Sequence, residues 1–181
     1  LSLFSFSYLP DRRTLTSLNK PGVLKEYLTE IRIVPNSTSI GKPLSSSIMA
    51  RYPNVRVLEL IRGERILWPQ GEDYTLQEGD ILVVKGDMRK VVALQQERGL
   101  ELLPGIEAGQ DSVRGTEVTL AEIVLTPNSK MVGRTLEKIQ FRKRHGAAVM
   151  AIQRQGAHLH IKEKIAQLPL RTGDILLVQA G

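Results

Sequence analysis

Thr29-Glu30-Ile31-Arg32-Ile33-Val34-Pro35-Asn36-Ser37 and Ala121-Glu122-Ile123-Val124-Leu125-Thr126-Pro127-Asn128-Ser129 are two versions of one phrase. Gly41 follows Ser37 by four places and Gly133 follows Ser129 by four. Leu44 and Leu136, Val57 and Val149, and Arg62 and Arg154 then fall in register. The ungapped stretch from Thr29 to Arg62 holds nine identities in 34 positions. Two extra residues in the second copy shift the frame, after which Gly79-Asp80-Ile81-Leu82 aligns with Gly173-Asp174-Ile175-Leu176. Matches at both ends of each copy, in one order, identify an internal duplication.

Each copy opens with a strand, at 27–34 and 119–126, whose apolar residues alternate. Pro-Asn-Ser ends it, because proline has no N–H for a ladder and Asn-Ser favours a turn. Gly41 and Gly133 are expected to supply a positive φ before a short helix. In the first copy Pro43 suits a first helical turn, and Leu44, Ile48 and Tyr52 fall on one face. In the second copy Leu136 and Ile139 form the stripe and the outer side is basic. Apolar strands follow, Val55–Ile61 and Ala147–Ile152. A turn around Arg62-Gly63-Glu64 or Gln155-Gly156 leads to a short strand, and a Leu-x-x-Gly-Asp turn then leads to a last strand, Ile81–Val84 or Ile175–Val178. After the first copy, Asp87 can cap a helix through Met88, Val91, Val92 and Gln95, with Gly99 as its stop.

The order β-α-β-β-β predicts an α+β fold. One helix covers only one face of so small a sheet. The second copy can cover the other, so the two are expected to pack as an intramolecular pseudo-dimer. The domain reading is a lead-in at 1–25, a first module at 26–98, a linker at 99–116 and a second module at 117–181.

Composition bounds the rest. The 181 residues are 41% hydrophobic and 24% charged, an ordinary globular balance. Aromatics make up only 4%, so the cores must be aliphatic. With no cysteine there is neither a disulfide nor thiolate chemistry. The net charge of +6 points to an anionic partner or to solvated side chains. The chain opens on Leu1 rather than Met, which reads as a fragment or a processed product. Leu1–Ser7 reads either as the end of a membrane helix or as an edge strand.

The pattern Pro-Asn-Ser-x-x-x-Gly-x-x-Leu, an apolar strand ending in Arg62 or Arg154, and Leu-x-x-Gly-Asp-Ile-Leu resembles the TrkA-C domain. That domain is the C-terminal, ligand-sensing module of the RCK family of potassium channels and transporters. The resemblance covers about 27–97 and 117–181. Tandem pairs are similar to those inserted in sodium/sulfate and dicarboxylate symporter-like permeases. Tyr8-Leu9-Pro10-Asp11-Arg12 and Lys25-Glu26-Tyr27-Leu28-Thr29-Glu30 resemble the approach to the first module there. The resemblance implies a regulatory domain on the cytoplasmic face of a membrane transporter for ions or small anions. It implies as partners the transporter's membrane-embedded part, a second copy of the chain, and a small-molecule or ion effector. Nucleotides, cyclic di-nucleotides and cations are the effectors it allows. No Gly-x-Gly-x-x-Gly occurs, so a dinucleotide in a Rossmann crevice is not implied.

Arg62 and Arg154 are the only identical basic residues matched between the copies in the aligned block. Guanidinium forks suit phosphate or carboxylate, so both are ligand candidates; pairing with Glu64 or a neighbouring carboxylate is the alternative. Asn36 and Asn128 shape either a ligand loop or a plain turn. Asp80 and Asp174 are expected to accept hydrogen bonds from their own turns. Lys138, Arg142, Lys143 and Arg144, with Lys130 and Arg134, form either a solvated face or a surface for anionic headgroups or a nucleotide. His145 is expected to interact with the end of the basic helix. His158 and His160 share a strand face but have no third soft ligand nearby. No acid–base or nucleophile constellation occurs, so no enzyme is expected. A nucleic-acid binder is disfavoured by the scarcity of aromatics. A pure assembly domain that binds nothing is the competing reading.

Overall fold

The computed structural model describes residues 25–103, 119–155 and 164–180, and the backbone of Arg13–Thr14. Leu1–Ser7, His158, His160 and most of the expected linker lie outside the described residues.

Nine strands form one sheet: β1 (Arg13–Thr14), β2 (Glu26–Ile33), β3 (Arg56–Arg62), β4 (Arg65–Leu67), β5 (Ile81–Asp87), β6 (Leu100–Leu102), β7 (Thr119–Val124), β8 (Ala147–Gln153) and β9 (Ile175–Ala180). Eight run in the order β1-β7-β9-β8-β2-β5-β3-β4, and β6 pairs with β2. The first unit is therefore β2-β5-β3-β4 and the second is β7-β9-β8, joined where Leu28 of β2 meets Ile152 of β8. All the pairings are antiparallel.

The two units share their cores. Tyr27, Ile31, Ile33, Leu60, Leu82 and Val84 cluster with Met150, Ala151 and Leu177 of the second unit. Leu28 and Val83, on the other face of the same strands, join Ile123, Leu125, Leu136, Phe141 and Leu176. β2 is consequently buried on both faces, which explains why its apolar alternation is imperfect. The fold is α+β, and the two copies pack as the expected pseudo-dimer. Each unit also carries a bulge at the equivalent place, between Val57 and Glu59 and between Val149 and Ala151.

Gly41 and Gly133 do have positive φ, 78° and 79°. They start matched bridges: Gly41 N–H donates to Leu76 and Gly133 N–H to Leu170, the leucines of the two Leu-x-x-Gly-Asp turns. The helix expected after Gly41 is instead two 3-10 turns, Leu44–Ser46 and Ile48–Arg51. The serine hydroxyls explain the difference. Ser46 and Ser47 donate to the carbonyls of Pro43 and Leu44, and Ser47 Oγ accepts from Met49 N. Such local bonds compete with a continuous helix. In the second unit α2 (Leu136–Ile139) and α3 (Phe141–His145) are separated by Gln140 at φ 52°. Leu136, Ile139 and Phe141 all point into the core.

Asp87 caps the helix Met88–Gln95, α1, by accepting from Lys90 N at 3.0 Å. Gly99 does not stop that helix, which ends before it. At φ 87° it turns the chain into β6, a strand inside the expected linker. A Cβ at Gly99 would sit 2.7 Å from Ser37 Oγ and 2.8 Å from Ser37 Cα. At Gly79, φ 83°, it would meet open space. Gly79→Ala is expected to cost only the left-handed strain, about 1–2 kcal/mol. Gly99→Ala adds a backbone clash and should lower the urea midpoint further; equal losses would contradict the close approach.

Candidate functional site

Three sets of polar residues recur in both units, and each is held differently. The first is the Arg–Asp clamp. Arg62, at the end of β3, donates from Nε and Nη2 to the two carboxylate oxygens of Asp80, both at 2.8 Å, and from Nη2 to Thr75 O at 2.8 Å. Arg154, just past β8, does the same to Asp174 at 2.8 and 2.6 Å and to Pro169 O at 2.8 Å. Each aspartate also accepts from its own turn, from Gln77 N at 2.8 Å and Arg171 N at 2.7 Å. The bond to Asp80 raises the Arg62 pKa. The clamp fastens the Leu-x-x-Gly-Asp turn to the strand before it. The structure keeps the two arginines in separate units, each bonded within its own, and Glu64 has no part in the clamp.

The second set is the Pro-Asn-Ser turn. Ser37 N–H donates to Val34 O, and Ser129 N–H to Thr126 O. Asn36 has φ 65°, which with Pro35 before it makes a type II turn. Both asparagines are exposed.

The third set went unread in the sequence: Glu30 and Glu122, matched in the repeat and both buried where the units meet. Glu30 Oε1 accepts from Ile165 N of the second unit at 2.7 Å. Glu122 accepts from Tyr27 Oη and from Lys25 Nζ, the latter at 3.0 Å, both in the first unit. Each glutamate thus reaches into the other copy. Burial raises the Glu30 pKa, opposed by Ile165 N–H and the Lys164 and Arg32 charges and assisted by Glu59. Burial and Glu122 also push up the Tyr27 phenol. Thr29 Oγ1 donates to Met150 O at 2.7 Å, a carbonyl that the β8 bulge takes out of register. Gln95 Nε2 meets Gln179 Oε1 at 2.9 Å. The signal was available: a carboxylate matched between copies in the middle of an otherwise apolar strand.

Lys138, Lys143 and Arg144 are exposed on α2 and α3, and Arg142 is half-buried. The His145 ring packs against Phe141 at the end of α3, with centroids 4.7 Å apart and the planes tilted by 44°. Among the described residues no group of three or more His, Asp or Glu is placed to hold a metal ion. None of the helices described is long and apolar enough to cross a membrane.

The family model of the TrkA-C domain matches twice, over residues 28–97 and 120–181. The chain belongs to the TrkA-C domain family. The tandem TrkA-C pair is similar to an uncharacterized transporter of Synechocystis, 32% identical over 179 residues, covering 94% of this chain and 29% of the relative. It is similar to sodium/sulfate cotransporter 2 of Chlamydomonas reinhardtii, 26% identical over 163 residues, with 88% and 18% covered. A third relative, the uncharacterized transporter YfbS of Escherichia coli, is 32% identical over 173 residues, with 92% and 28% covered. The chain thus spans less than a third of the length of each of these relatives. No solved structure matches it significantly.

Proposed function

We propose that the tandem TrkA-C pair is a regulatory domain of a membrane transporter for ions or small anions. It lies on the cytoplasmic face, takes no part in catalysis, and senses a small anionic ligand or an ion. The observation that carries this reading is the shared core. Residues of each unit complete the other's cluster, and Glu30 and Glu122 cross the seam in opposite directions. An effector bound to one unit must therefore act on both, and any difference in its affinity for two seam arrangements becomes a bias on the attached membrane part. A second copy of the chain is an expected partner within the transporter. Arg62 and Arg154 can reach a ligand only in competition with Asp80 and Asp174. Asn36 and Asn128 are exposed and free of that constraint.

The test is a thermal-shift titration with nucleotides, cyclic di-AMP, and mono- and divalent cations. An effector at a hundredfold excess over its Kd should raise Tm by about 5–10 °C. Asn36→Ala and Asn128→Ala run alongside to locate the site. A flat response across the panel favours the other reading, an assembly domain whose seam charges are satisfied within the chain.

A further inference from the structure

We propose that the outer surface of α2 and α3 docks on the anionic headgroups of a lipid bilayer through Arg134, Lys138, Lys143 and Arg144. This inference rests on the reading of the chain as part of a membrane transporter.

Charge distribution comes first. Lys130, Arg134, Lys138, Arg142, Lys143 and Arg144 stand against Glu137 alone between 130 and 145, so this short segment carries +5 of the chain's +6. The rest of the chain is nearly neutral.

Pairing comes second. Lys25, Arg32, Arg51, Arg56, Arg62, Lys85 and Arg154 each meet a carboxylate, and Lys42, Arg65, Arg89, Lys90 and Arg98, which form no ion pair among the described residues, are spread over three stretches of the first unit. Arg134, Lys138, Lys143 and Arg144 are exposed and form no ion pair among the described residues. An unneutralised cluster is what an anionic surface attracts.

Anchorage comes third. Leu136, Ile139 and Phe141 fix the apolar sides of the two helices in the second core. The turn at Gln140 lets both helices bury an apolar side within ten residues, and it holds their basic residues outside. The matching face of the first unit is weaker: Lys42 and Arg51 stand where Arg134 and Lys143 do, but Arg51 is paired with Glu97. There Ser45, Ser46 and Ser47 occupy the positions of Glu137, Lys138 and Ile139, and Asp73 binds Ser45. The dense basic face is thus a property of one unit, and it gives the pair a single side to turn toward a membrane.

Each lysine or arginine held at an anionic bilayer surface strengthens partition by about fivefold, within a Debye length of roughly 8 Å. Four such residues make a weak, salt-sensitive contact, suited to a domain already attached to the membrane by its own chain.

The experiment is co-sedimentation with vesicles of phosphatidylcholine alone and of phosphatidylcholine mixed with phosphatidylglycerol. The chain should sediment only with the mixed vesicles and be released by salt. The variant K138E/K143E/R144E should bind on the order of 100-fold more weakly. The variant K42E/R65E/R89E, with the same charge change at exposed sites elsewhere, should keep much more of its binding. Far-ultraviolet circular dichroism confirms that both are folded. No sedimentation, equal binding to neutral vesicles, or equal loss in both variants would overturn the proposal. So would release by inorganic phosphate at an ionic strength where chloride does not release the chain, which would make the face a free-phosphate site. Vesicle binding needs no effector. A chain that fails the thermal-shift titration yet sediments keeps this proposal and loses the sensing one, and the reverse outcome separates them equally.

Discussion

Asp174→Ala is expected to lower the stability of the chain by about 3–5 kcal/mol, the cost of stripping the partner from a buried charge. The Arg154 side chain is 6% exposed and the Asp174 side chain 1%. Without the carboxylate, the guanidinium keeps only Pro169 O, and Arg171 N–H loses its acceptor. Water has little access to the Arg154 side chain to replace the lost partner. Asp80→Ala removes the same bonds from Arg62, but that side chain is 29% exposed and can be hydrated in the mutant. Its loss should be smaller by about 1 kcal/mol or more. Urea unfolding of both variants decides it. Equal losses would mean that burial does not set the strength of the clamp. A loss under about 1 kcal/mol at Asp174 would mean that the clamp is not needed to close the turn.

The clamp also shows what was legible from residues alone. Arg62 and Arg154 are matched in the repeat, and so are Asp80 and Asp174, so the two halves of the clamp were visible separately. Their pairing was not, because it joins residues 18 apart in the first unit and 20 apart in the second. The strands, the Leu-x-x-Gly-Asp turns, the glycine φ values and the Asp87 cap were legible because each depends on a few adjacent residues. After Gly41 the apolar spacing favours a helix, but the hydroxyls of Ser46 and Ser47 bond the backbone locally and break it into 3-10 turns. β6 was read as linker because Leu100-Glu101-Leu102 is too short to signal a strand without the free edge of β2 beside it. Glu30 and Glu122 were passed over for a related reason. In a lone module that face of the strand would meet solvent, where a glutamate needs no explanation. In the pair Glu30 bonds Ile165 N–H of the second unit, and the one signal for this was a glutamate matched between the copies in an apolar strand.

Stability should fall as pH rises above 4.5, and Glu30→Gln should abolish that fall. Glu30 is 3% exposed, and burial is the largest influence on its carboxyl, raising its pKa from the ordinary 4.5. The charged groups acting on it are Glu59, which raises it further, and Lys164 and Arg32, which oppose. Between 4.5 and the raised folded value, the folded chain holds a proton that the unfolded chain has lost. Stability from this group is full below 4.5 and is lost as pH climbs through the folded pKa, at up to about 1.4 kcal/mol per pH unit. Glu26 works in the opposite sense and in a different window. Lys85 lowers its pKa, so its contribution disappears only as pH falls below 4.5. Glutamine at position 30 keeps an oxygen to accept from Ile165 N–H and carries no charge. Glu30→Gln should therefore be more stable than the parent above the window and show no fall within it, in urea unfolding stepped upward from pH 4.5. Parallel curves for the two proteins would place the Glu30 carboxylate in a site that already compensates its charge. A divergence that opens with rising pH would mean that the seam between the units stores strain once Glu30 is charged, which is the condition under which a small effector charge can shift it.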